Sequence, residues 1–153
     1  MKAIDIAVEN FIQQPTTKKR VIVNLGCGYD ALPFRFHWKG LAQGVKFVDI
    51  DYRELIVTKV RLMTDDKHLR TILDGWNYSI RENEDETVIV TSESYDAVAC
   101  NINEAECLSH VFSKVIPLQG CEIMFLVEDA FSFMEHHEAT AIIEWASTFE
   151  KGL

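Results

Sequence analysis

Two glycines and a spaced set of acids and amides are the residues of this chain best suited to chemistry. Val21-Ile22-Val23-Asn24-Leu25 is a largely β-branched run that leads into Gly26-Cys27-Gly28-Tyr29-Asp30. A β-carbon at Gly26 or Gly28 would block close approach of a ligand or strain a tight turn. Further on, Val45-Lys46-Phe47-Val48 ends in Asp49-Ile50-Asp51. A carboxylate at a strand tip can accept both hydroxyls of a ribose, so this order of strand, glycine turn, strand and acid describes a Rossmann-type nucleoside pocket. The competing readings are local: a strand-to-helix turn that serves no ligand, and an acid that caps the helix starting near Tyr52. Of the two acids, Asp51 is assigned to the ribose.

Three further groups point into the same pocket. Asp30 either caps its own helix or stands as an acid below the amino-acid tail of the ligand. Asn101-Ile102-Asn103 follows a strand ending at Cys100. Asn101 can accept from an adenine amino group while Ile102 packs on the ring; equally, an asparagine there caps the next helix. Glu128 and Asp129 follow the apolar run Cys121–Val127. A carboxylate there holds an ammonium group, or else caps a turn starting at Phe131. A nucleoside joined to an amino acid through a sulfonium, S-adenosylmethionine, satisfies all of these positions. No proton-shuttling catalytic residue stands out. His136-His137 are adjacent and do not share a helix face, so no metal ligand set is assigned.

The elements that must position these groups follow from periodicity. Ala3, Ile4, Ile6, Ala7, Val8, Phe11 and Ile12 give a helical stripe that stops before Pro15. Strands are expected at 21–25, 45–49, 87–91, 95–100 and 121–127. Helices are expected over 30–36, 52–63, 104–114 and 136–149, with a further turn around Leu69, Ile72 and Leu73. Ala139, Ile142, Ile143, Ala146 and Phe149 are expected to face inward on the last helix. Arg81-Glu82-Asn83-Glu84-Asp85-Glu86 reads as a solvated loop. Strands alternating with helices imply an α/β fold with a mostly parallel sheet.

The 153 residues fit one domain, 1–153. The formal charge of −9 disfavours general affinity for phosphate backbones and suits a cationic cofactor. The four cysteines form no C-x-x-C pair and read as small buried hydrophobes in a reducing compartment. No signal-peptide pattern or membrane-length apolar run is present, so a cytoplasmic protein without membrane contact is expected.

Several motifs together resemble one family. Val23-Asn24-Leu25-Gly26-Cys27-Gly28-Tyr29-Asp30, Phe47-Val48-Asp49-Ile50-Asp51-Tyr52, Leu126-Val127-Glu128 with Phe133-Met134-Glu135, and Ile142–Glu150 are similar to the leucine carboxyl methyltransferases. The resemblance implies a Rossmann-like class I methyltransferase sheet that binds S-adenosyl-L-methionine. It puts Gly26 and Gly28 against the cofactor, Asp51 on the ribose, Asn101 and Ile102 around adenine, and Glu128 at the amino-acid end. One branch of the family methylates the C-terminal carboxylate of a protein phosphatase catalytic subunit. The other methylates a carboxylate on the wybutosine base of phenylalanine tRNA. Lys2–Ala7 and Pro117–Cys121 look more like the tRNA branch. Three departures stand out. Asn101 replaces an aspartate, Phe133-Met134 replaces Tyr-Met, and an arginine expected just before Lys2 has no counterpart.

The resemblance also implies a chain truncated at both ends, with about four or five strands of a larger sheet. Cys121–Val127 would then be an exposed edge, open to a second copy or another chain. Three functions follow as expectations: carboxyl methylation, with tRNA or a phosphatase C-terminus as substrate; methylation of another small acid or nucleic acid; and a non-catalytic interaction module. If tRNA is the substrate, the acidic balance puts the basic surface elsewhere.

Overall fold

The computed structural model describes residues 2–81, 87–116 and 120–149. Most of the expected loop at Arg81–Glu86, and Pro117–Gln119, lie outside the described residues. The elements in order are α1 (Lys2–Gln13), β1 (Lys19–Leu25), α2 (Leu32–Trp38), β2 (Val45–Asp51), α3 (Arg53–Asp65), α4 (Lys67–Gly75), β3 (Ser79–Ile80), β4 (Val88–Thr91), β5 (Tyr95–Ala99), α5 (Ala105–Val115), β6 (Cys121–Leu126), a short 3-10 turn at Ala130–Phe133, and α6 (His136–Ser147). The architecture is the expected Rossmann-like α/β sheet, with six strands in the order β3-β4-β5-β2-β1-β6. The additional strand is the two-residue Ser79–Ile80, too short to leave a period-2 signal in the sequence.

β1 pairs in parallel with β2 on one side and β6 on the other, and β2 pairs in parallel with β5. The outer pairs β5–β4 and β4–β3 are antiparallel. Ser92-Glu93-Ser94 is too short to carry a crossover, so β4 and β5 close as a hairpin. Its turn is held by the Ser92 hydroxyl, which accepts from the Tyr95 amide at 2.8 Å.

Alternation along the strands feeds two cores. Ile22, Phe47, Tyr95 and Ala97 face α1 to α4, while Val21, Val23, Leu25, Val48, Ile50 and Val98 face α5 and α6. Trp76 stacks on Phe34 at 5.7 Å in the first core. Phe112, Phe125, Trp145 and Phe149 form an aromatic cluster in the second, with Phe112 and Phe149 centroids 4.6 Å apart.

The helix faces differ in detail from the periodic reading. On α6 Ile142 and Trp145 are buried and Ile143 turns outward. The aromatic cluster rotates the helix toward Trp145, the larger apolar surface. On α1 Ile4, Val8, Phe11 and Ile12 pack inward and Ile6 is exposed. Among the described residues no helix is long and apolar enough to cross a membrane.

Phe112→Ala removes the ring shared by the second aromatic cluster. It is expected to destabilise the fold by about 3–5 kcal/mol in urea unfolding. A loss below about 1 kcal/mol would mean that the layer of α5 and α6 is not packed as described.

Candidate functional site

Because β5, β2, β1 and β6 are adjacent and parallel, their carboxyl ends lie on one edge of the sheet. That edge carries Asn101 and Ile102 after β5, Asp51 on β2, Gly26 and Gly28 after β1, and Glu128 after β6. From β1 the chain continues into α2 on one face. From β6 it continues into α6 on the other. The crevice between these two departures is where open α/β sheets bind ligands.

The glycine turn is fastened from within. The Gly26 amide donates to the Ile50 carbonyl at 2.9 Å, and the Cys27 amide to the same oxygen at 3.3 Å. The Gly28 amide donates to Asp51 Oδ2 at 2.8 Å. Asp51 Oδ1 accepts from the Tyr52 amide, also at 2.8 Å. A carboxylate offers about four acceptor positions, so this one keeps capacity for a diol.

The two glycines do different work. Gly26 has φ +68°, and a β-carbon there would stand 2.6 Å from Ala130 Cβ and 3.2 Å from Ile102 Cδ1. Its bareness admits the turn after β6 and the isoleucine after β5. Gly28 has φ +50° and nothing within 4 Å of the same position, so the ground beside it is open.

The remaining expected residues are placed as follows. Asp30 pairs with Arg35, which also holds Asp5 at 3.0 Å. Arg35 therefore ties α2 to α1, with Asp30 as its second carboxylate, and the N-cap of α2 is Ala31. Asn101 Nδ2 donates to Glu104 at 2.6 Å, and its oxygen accepts from the Asn103 amide at 3.1 Å. The N-cap of α5 is Glu104. Ile102 is buried. Glu128 is exposed at the end of β6, and Asp129 beside it is left-handed, with φ 63°. Among the described residues no group of three or more His, Cys, Asp or Glu is arranged to hold a metal ion. A cavity of about 440 Å³ opens between β4 and the end of α5, lined by Lys46, Thr87, Asp96 and Lys114 among others, and shares no residue with this edge.

Asp49 takes neither role weighed for it. Its Oδ2 meets Lys59 Nζ at 2.7 Å and accepts from the Tyr95 hydroxyl at 2.8 Å. All three residues are buried. The ammonium meets the carboxylate as a close ion pair rather than through a well-angled hydrogen bond. Burial alone pushes the Lys59 ammonium down, but Asp49, its largest opposing neighbour, and Cys27 together outweigh it and hold the lysine above its ordinary range. Burial, then the same carboxylate, pushes the Tyr95 hydroxyl well up, so it stays a donor. Burial, then the Asp49 charge, also pushes up the Cys27 thiol, which lies close enough to interact with Lys59. The pair thus underlies the glycine turn. Its sequence signal was a lysine inside the apolar stripe Ile56, Val60, Met63, the position least suited to a charge without a buried partner.

The fold defines a Rossmann-like α/β protein with a crevice at the carboxyl ends of its parallel strands. Residues 1–147 match the family described as leucine carboxyl methyltransferase. The chain belongs to that family. It is similar to proteins named tRNA wybutosine-synthesizing protein 4. Identity is 32% over 96% of the chain in Aspergillus fumigatus, 32% over 96% in Gibberella zeae and 30% over 97% in Saccharomyces cerevisiae. It spans 14%, 15% and 22% of those relatives' lengths.

Gly26→Ala is expected to cost about 2–4 kcal/mol, since left-handed strain adds to a clash with Ala130. Gly28→Ala carries the strain alone, about 1–2 kcal/mol. Equal losses in urea unfolding would show that the turn after β6 does not press on Gly26. Lys59→Met leaves Asp49 buried without its cation and is expected to cost about 3–5 kcal/mol. Adding Asp49→Asn should recover a measurable part of that loss, and strict additivity of the two substitutions would remove the pair as a coupled unit.

Proposed function

We propose that this chain is the S-adenosylmethionine-binding part of a carboxyl methyltransferase, with a carboxylate on the wybutosine precursor of phenylalanine tRNA as acceptor. The observation that carries the cofactor reading is the direction of the glycine-turn amides. Phosphate-binding glycine loops aim backbone N–H groups at the ligand. Here the amides of Gly26, Cys27 and Gly28 all donate to the protein itself, the last to Asp51. A crevice of this kind suits a nucleoside without phosphate.

In this reading Asp51 holds the ribose diol, prealigned by two amides. Ile102 borders the adenine, and Asn101 sits beside it at the β5 tip. The open ground at Gly28 receives the tail, and Glu128 holds its ammonium. The bound cofactor supplies an electrophilic methyl group on a sulfonium. The acceptor carboxylate is ionised at neutral pH, so no residue of this chain has to remove a proton. The chain's contribution is alignment of acceptor oxygen and methyl carbon. The tRNA acceptor is supported by the names of the relatives.

Calorimetric titration tests the cofactor, and a methylation assay tests the acceptor. S-adenosylmethionine is expected to bind while NAD and ATP do not. Asp51→Ala should weaken binding roughly 10- to 100-fold through loss of charged hydrogen bonds. Equal binding of NAD would overturn the phosphate-free reading. Methylation of hypomodified tRNA, and not of a phosphatase C-terminal peptide, is the expected outcome of the second assay. The reverse result selects the other branch, and absence of cofactor binding leaves an interaction module.

A further inference from the structure

The loop from β5 into α5 borders the candidate site, and a thiol stands at each end of it. Cys100 follows β5, and its amide donates to the Asp51 carbonyl at 2.9 Å. Cys107 lies in the first turns of α5. Their Sγ atoms are 2.8 Å apart. A disulfide bond measures about 2.05 Å, so less than about 1 Å of movement separates the two thiols from a covalent bridge. Cys100 is buried and Cys107 half-buried, so Cys107 is the more exposed member of the pair. The spacing Cys-x6-Cys carries no motif, which is why the sequence reads these cysteines as packing residues.

We propose that Cys100 and Cys107 form a reversible dithiol–disulfide pair that staples the loop bearing Asn101 and Ile102 when a hydroperoxide oxidises it. The chemistry balances without a cofactor. The Cys107 sulfur attacks the peroxide oxygen, the O–O bond breaks, and the departing alkoxide leaves as an alcohol, or as water from hydrogen peroxide, with one thiol proton. Cys107 is then a sulfenic acid. The Cys100 sulfur attacks the Cys107 sulfur, the S–O bond breaks, and hydroxide leaves as water with the second thiol proton. Two thiols and one hydroperoxide become one disulfide, one alcohol and one water. Two electrons pass from sulfur to oxygen. Burial, then the neighbouring thiol, pushes the Cys100 thiol up. This suits Cys100 to the second step, at a sulfur already in contact, rather than to meeting the oxidant. Reduction by a small dithiol reverses the bridge by thiol–disulfide exchange.

The test treats the whole chain with hydrogen peroxide under native conditions and then blocks remaining thiols. The expected result is loss of two of the four thiols and of about 2 Da in intact mass. A peptide linking Cys100 to Cys107 should appear, together with a rise of about 3–8 °C in melting temperature that dithiothreitol reverses. Cys107→Ser, at a half-buried position, should fold, form no bridge and show no rise. The inference is overturned if the lost thiols map to Cys27 or Cys121, or if the bridge is intermolecular. It is equally overturned if Cys107 proceeds to sulfinic acid while Cys100 stays a thiol, or if no thiol is lost. None of these readouts depends on cofactor binding, so the pair stands or falls apart from the proposed function.

Discussion

The parallel pairing of β1 with both neighbours is the constraint on which the candidate site rests. Asn24 lies opposite Asp49 on one side and Leu126 on the other. The tips of β1, β2 and β6 are therefore level, and their loops leave the sheet at one height. Period-2 alternation makes this register unforgiving. A slip of one residue would turn Val21, Val23 and Leu25 from the core of α5 and α6 to the opposite face. It would also turn Asp51 away from Gly28. The pocket-forming hydrogen bonds are thus a consequence of the hydrophobic pattern beneath them.

Asp49 and Asp51, two residues apart on one strand, share a face of the sheet. Two unscreened carboxylates so placed would repel each other and the turn above them. The chain treats them differently. Asp49 is neutralised from below by Lys59 and capped by Tyr95. Asp51 is held at the rim by two backbone amides. A buried ion pair is seldom more stable than apolar residues of the same volume. Its value here is positional: it pins β2 and α3 beneath Cys27.

Much of this was legible in the sequence. The strand, glycine turn and tip acid were readable because each rests on local chemistry: β-branched runs, bare α-carbons, a carboxylate at a fixed distance from a strand. The helices were found from period 3.6, with boundaries displaced by a residue or two. Three features were not legible, for one physical reason. The Lys59–Asp49 pair, the pressure of Ala130 on Gly26, and the meeting of Cys100 with Cys107 all depend on which elements pack together. An alanine or a lysine carries no mark of its partner. Asp30 shows the same limit from the other side. It has the position of a helix cap, yet Arg35 captures it and leaves Ala31 as the N-cap of α2.

What a glycine turn can bind depends on where its amides point. A turn with unspent N–H groups is an anion receptor whatever its sequence. In this chain the three amides from Gly26 to Gly28 are spent on Ile50 and Asp51. A phosphate placed there would meet no donor from them and would face the Asp51 carboxylate. A cationic ligand with a ribose diol meets the opposite situation. Amides orient a carboxylate without cancelling its charge, whereas Arg35 and Lys59 cancel those of Asp30 and Asp49. The carboxylate at the β2 tip is therefore held in one orientation by backbone amides rather than by a cation. The hydrogen bond from Gly28 to Asp51, together with those from Gly26 and Cys27 to Ile50, separates this turn from a phosphate cradle built on the same glycine motif.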